Sequence, residues 1–99
     1  MAITVGVARV GLHLGETTTL KDKRHIVRSI TTRVRNQFNV GIAEVEDLDD
    51  LRFATLAITC VSNSAPHAGE MLATVIAFIE RRVEQGVVSE IETELIPWS

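Results

Sequence analysis

Cysteine is almost absent from this chain of 99 residues. Cys60 stands alone, and one thiol builds neither a disulfide framework nor a thiolate metal site, so a reducing compartment is the default expectation. Aromatics are scarce too: three Phe, one Trp and no Tyr. That supply is too thin for a sheet surface that reads RNA by stacking bases on paired aromatics. Only six Gly and two Pro, with no low-complexity tract, argue against disorder. No long apolar run exists. The N-terminal "MAITVGVARVGLHLG" alternates and has no basic stretch ahead of it, so it reads as a strand and not as a signal peptide or a membrane span. The expectations are a cytoplasmic protein, no membrane partner, and a single domain over residues 1–99. A chain of this length buries roughly 65% of its extended surface, enough for a two-layer core but no deep chamber.

What is present is period. Ala2 to Leu14 alternates, with Ala8, Val10, Leu12 and Leu14 on one face and Val5, Val7, Arg9 and His13 on the other. "GETTT" is a turn, and Thr19 with Asp22 three residues later has capping-box spacing for a helix running to about Gln37. At 100° per residue Val27, Ile30, Val34 and Phe38 fall within about 80° of one another, with Ile26 widening the stripe. Asn39–Glu46 reads as a second strand, the acidic "EDLDD" as a hairpin turn, and "LRFATLAITCVS" as a third strand with Ala54, Leu56, Ile58 and Cys60 inward. A second helix follows, capped by Asn63 or Ser64, carrying Leu72, Val75, Ile79 and Val83, and ending near Gly86. "VVSEIETELIPW" alternates again, with Ile91, Thr93 and Leu95 opposite Glu90, Glu92 and Glu94. The order βαββαβ predicts an α+β, ferredoxin-like sandwich: a four-stranded antiparallel sheet with two helices on one face, the first and third strands central.

Charge is distributed unevenly. Between Thr19 and Phe38 lie six Lys and Arg against the single acid Asp22, a local charge of +5 in a chain whose net charge is -3, so the remainder carries -8. On the helical wheel Lys21, Arg24, Arg28 and Arg35 share about 60° of arc beside the apolar stripe. Arg33 lies elsewhere, and Lys23 lies near the apolar side, where its stem can snorkel. A charged helix face is ordinarily just solvated. Two features set this one apart: it is nearly all one sign, and Lys21, Lys23 and Arg24 crowd a helix start whose dipole is already positive, at a few tenths of a kcal/mol to about 1 kcal/mol each. Free N–H groups, the hydroxyls of Thr17 to Thr19 and those cations together suit a phosphate. The candidate nucleic-acid or anion-binding residues are therefore Lys21, Lys23, Arg24, Arg28 and Arg35, on a stripe roughly 15–21 Å long that fits a nucleic-acid backbone.

The open sheet face offers one aromatic, Phe53, and a row of glutamates that repels phosphate. Val5, Val7, Phe53 and Ala57 there make a candidate protein interface, a homodimer contact among the expected uses. His13, His25 and His67 have no ligand-like spacing, and Cys60 falls on an inward phase, so neither a metal site nor a catalytic residue is assigned, and no cofactor is implied. Glu44, Glu46, Asp47, Asp49 and Asp50 lack the glycine and terminal Glu of a calcium loop and read as a solvated hairpin tip. Acylphosphatase-like enzymes share the topology, but "LGETTTLKDKR" lacks their Gly-rich arginine loop.

"LKDKRHIVRSITTRVRNQFNV", "AEV", "ATLAITCVSN" and "FIE" together resemble the YlxP-like family of small bacterial proteins of unknown function, over nearly the whole chain. The most specific piece is the "SLKEKR"-like helix start, here Thr19 to Arg24, followed by "RNQFNV"; Thr19 for Ser and Asp22 for Glu keep the capping chemistry. The resemblance implies a ferredoxin-like fold. It also implies a ribosome- or RNA-associated role, because genes of that family often lie beside those for translation initiation and ribosome maturation factors. The leading expectation is a non-enzymatic RNA- or ribosome-binding domain. An oligomerisation or protein-interaction module using the open sheet face comes second, and a phosphoanion-binding enzyme third.

Overall fold

A computed structural model describes residues 3–15, 17, 19–83 and 87–98. The elements are β1 (Ile3–His13), α1 (Leu20–Gln37), β2 (Gly41–Glu46), β3 (Phe53–Ser62), α2 (Ala65–Arg82) and β4 (Val87–Trp98). The strands form one antiparallel sheet in the order β2-β3-β1-β4, so the two most apolar strands take the centre, as their composition requires. The expected α+β, ferredoxin-like βαββαβ arrangement is what forms. The ends of the elements lie within two residues of the expected ones, except that α2 stops at Arg82 with Val83 as its C-cap, short of the expected end near Gly86; Ala2 and Gly86 lie outside the described residues.

The period-two pattern of β1 and β3 is the origin of the core. Ala8, Val10 and Leu12 of β1 and Ala54, Leu56, Ile58 and Cys60 of β3 are all buried, and they meet Val27, Ile30 and Val34 of α1 and Leu72, Val75 and Ile79 of α2. Thr19 caps α1 by accepting from the Asp22 amide at 3.0 Å, and Ser64 caps α2 by accepting from the His67 amide at 3.4 Å. Ala68, Ile76 and Phe78 widen the buried face of α2 beyond the expected stripe. Close packing explains Gly6: a Cβ there would stand 2.8 Å from Cys60 Sγ and 3.0 Å from Leu72 Cδ1, so α2 rests where β1 has no side chain.

Two irregularities shape the sheet margins. β4 shifts register against β1 between Arg9 and Gly11, with Glu90 in the left-handed region at φ 53°. β2 shifts against β3 between Glu44 and Glu46, and Asp47, the next residue, has φ 59°. Both are bulge-like breaks at edge strands, where such breaks increase twist and re-aim side chains.

Candidate nucleic-acid interface

Helix α1 turns Val27, Ile30 and Val34 toward the core, and the same geometry turns Lys21, Arg24, Arg28 and Arg35 outward. All four are exposed. Among the described residues three ion pairs form: Arg9 with Glu46, Arg9 with Glu92, and Lys23 with Glu44; none engages a cation of the outward row. Arg35 Nη2 donates to the Ile42 carbonyl at 2.8 Å, which fastens the guanidinium against edge strand β2 and leaves its other donors available. Arg24, Arg28 and Arg35 form one wall of an open groove of about 320 Å³ between α1 and β2, with Val27 and Thr31 at its base and Ala43 and Glu44 on the strand side. Three planar forks spaced along such a wall suit successive phosphates, which they can bind bidentately.

Lys23 is a correction to the sequence reading. It is only 1% exposed, its Nζ lies 3.0 Å from Glu44 Oε2, and it donates to the Asp47 carbonyl at 2.6 Å. Snorkelling fails because the hairpin after β2 closes over the first turns of α1 and receives the ammonium from above. A charge so buried persists only when paired and hydrogen-bonded, which it is. It therefore contacts no anion from solution. Glu44, expected on a solvated tip, is its counter-charge, and Asp47 accepts from the Thr55 hydroxyl at 2.9 Å.

The phosphate cradle expected at the start of α1 is not assembled either. The Thr17 hydroxyl is buried and donates to the Leu14 carbonyl at 3.1 Å; the Thr19 hydroxyl is occupied by the Asp22 amide; Thr18 lies outside the described residues. Of the candidate residues, those left facing solvent line the side of the helix.

The open sheet face differs in every respect. Its one cation among the described residues, Arg9, bridges Glu46 at 3.0 Å and Glu92 from the opposite edge, and these bonds, Glu92's first, push the guanidinium pKa up. Val5, Val7, Phe53 and Ala57 lie on this face and are each partly buried. Phe53 is engaged edge-on by His13, ring centroids 4.8 Å apart. The large apolar side chains standing free are others: Ile3, Val61, Ile96 and Trp98 at one end and Val87 at the other. The signal for them is the alternation itself, because Ile96 and Trp98 share the phase of Glu92 and Glu94. Cys60 is buried, its Sγ 3.7 Å from the Ala68 carbonyl.

Three comparisons place the chain among known proteins. It superposes on the de novo designed protein Foldit4 with a TM-score of 0.53, covering 94% of this chain and 96% of that one at 11% identity, a likeness of fold alone. The uncharacterised protein YlxP of Bacillus subtilis (strain 168) is 34% identical over 76 residues, which are 77% of this chain and 83% of that protein. The family model described as "Protein of unknown function (DUF503)" matches residues 5–92, so with the YlxP likeness the chain belongs to the YlxP-like, DUF503 family.

Proposed function

We propose that the protein is a non-enzymatic RNA-binding domain acting at the ribosome in the cytoplasm, with Lys21, Arg24, Arg28 and Arg35 contacting phosphates. One observation carries the reading: the chain pairs Arg9 and Lys23 with carboxylates yet leaves a row of four exposed cations on α1 without one among the described residues. In a chain of net charge -3 there is no shortage of acids to neutralise them. The row from Lys21 to Arg35 spans about 21 Å at 1.5 Å per residue, long enough to run along several backbone phosphates.

Salt-resolved co-sedimentation with ribosomal subunits tests it, alongside a direct titration of ribosomal RNA. Four contacts give a log–log salt slope near -3.6 on a duplex and about -2.8 on a single strand. Binding then weakens roughly 50- to 150-fold between 50 and 200 mM salt. Salt-independent association, or full binding by a variant with all four cations changed to Glu, rejects the interface.

A further inference from the structure

The helix-free face of the sheet has two unlike ends. At one end Ile3 stands opposite Trp98, and Val5 opposite both Val61 and Ile96, an apolar band across β3, β1 and β4. Trp98 is 63% exposed and Val61 66%, a large apolar surface for water to cover. Toward the other end Glu94, opposite Val7, and then Glu92, Glu46 and Glu90 outnumber Arg9, which is already held by two of them. A polyanion is repelled here. A second copy fares poorly as well. Stacking the full faces sets glutamates on glutamates or, turned end for end, glutamates on the apolar band, and overlapping only the apolar ends covers about half the face. With strands of eleven, six, ten and twelve residues about 4.8 Å apart, the whole face is roughly 650 Å² and half is about 300 Å². An occupant that brings apolar groups to one end and cations to the other matches both, so charge complementarity and not area favours it over a second copy.

We propose that this face docks a basic, amphipathic segment of another protein, its apolar side chains on the Trp98–Ile96–Val61 end and its lysines or arginines over Glu92 and Glu94. The inference is independent of the RNA reading, since the two surfaces share no residue. If both hold, the molecule carries RNA on α1 and a basic protein on the sheet.

Trp98 is the only tryptophan and sits in the band, so its fluorescence reports cover directly. The probe is an amphipathic helical peptide of leucine and lysine, about 18 residues or roughly 27 Å long, with a leucine–glutamate peptide of the same pattern as control. The expected result is a saturating blue shift with the lysine peptide, weaker as salt rises, and none with the glutamate peptide. Glu94→Lys and Val61→Glu, both at exposed positions, should each weaken binding about tenfold or more, while Glu80→Lys on α2 should not. Circular dichroism confirms that each variant folds. No shift with the lysine peptide, equal binding of the glutamate peptide, or equal loss with Glu80→Lys overturns the proposal. So does a blue shift that grows with protein concentration alone, accompanied by a dimer in sedimentation, which gives the face to a second copy. A Trp98 shift on adding RNA would give it to nucleic acid and overturn the proposal equally.

Discussion

Arg9 and Arg28 are the same residue type in two regions handled in opposite ways. Arg9, in the middle of the open sheet face, is clasped from both edges by Glu46 and Glu92. Arg28, in the middle of the outer row of α1, has no carboxylate partner among the described residues, and neither have Lys21, Arg24 and Arg35. The contrast sharpens at Lys21 and Lys23. Two positions apart is about 200° of helix, which sends one ammonium into solvent and the other under the hairpin onto Glu44. Among the described residues Arg9 and Lys23, which tie strands and hairpin together, have carboxylate counter-charges, and the cations along the outside of α1 have none. What sets the row apart from the other unpaired cations, Arg33 among them, is that its four members share one arc of a single helix.

The strongest way to break the comparison is at Lys23. Lys23→Ala leaves the Glu44 carboxylate without its cation and the Asp47 carbonyl without its donor, and should destabilise the protein by about 3–5 kcal/mol in urea unfolding. Lys23→Met with Glu44→Met should recover much of that loss, since a well-packed apolar pair often replaces a buried ion pair at little cost. If Lys23→Ala instead weakens RNA binding while leaving stability intact, the division between structural and outward cations is wrong.

Next in size is reversal of the outer row. Changing Lys21, Arg24, Arg28 and Arg35 to Glu should abolish RNA binding at moderate salt and flatten the salt slope, with unfolding little changed because all four are exposed. Arg33→Glu is the internal control. It too is exposed, alters the net charge per substitution by as much, and lies about 120–180° round the helix from the row. It should leave most of the binding in place, whereas a loss per residue equal to that of Arg28→Glu would mean that overall charge, not the row, governs association.

Much of this division is legible in the sequence. Alternation and the capping residues Thr19 and Ser64 locate the elements, and the wheel separates the outer row from the buried stripe. Lys23 was within reach too: its wheel angle falls inside the arc of Ile30, Val34 and Val27, and Glu44 shares the inward phase of Ile42. What no local pattern states is that β2 lands over the first turns of α1, because that contact joins residues about twenty positions apart and depends on the whole sheet being assembled. The breaks at Glu90 and Asp47 are equally silent, since an acid in the left-handed region carries no compositional mark of the kind glycine does. The apolar end of the open face was present in the phase of β4, two residues beyond the glutamates that dominate its reading.

Thr19→Ala tests how the row is presented. Removing the hydroxyl that accepts from the Asp22 amide should cost about 1 kcal/mol and fray the first turn. Lys21 then loses its register while Arg28 and Arg35 keep theirs, so RNA binding should fall by less than it does for Arg28→Glu. A larger fall would move the weight of the interface to the helix start.

The smallest effect is expected at Arg9, and it addresses the other half of the comparison. Arg9→Ala removes two exposed ion pairs, and pairs of that kind contribute little because water and salt already screen them. The unfolding midpoint should barely move. RNA affinity should not fall either, because Arg9 lies on the opposite side of the sheet from α1 among glutamates that repel phosphate. What should change is the open face: Glu46 and Glu92 lose their shared cation, so the face becomes more negative and the leucine–lysine peptide should bind it more tightly. A drop in RNA binding on losing Arg9 would show that the sheet, not the helix, meets the nucleic acid, and the contrast between the two arginines would then be a contrast of packing alone.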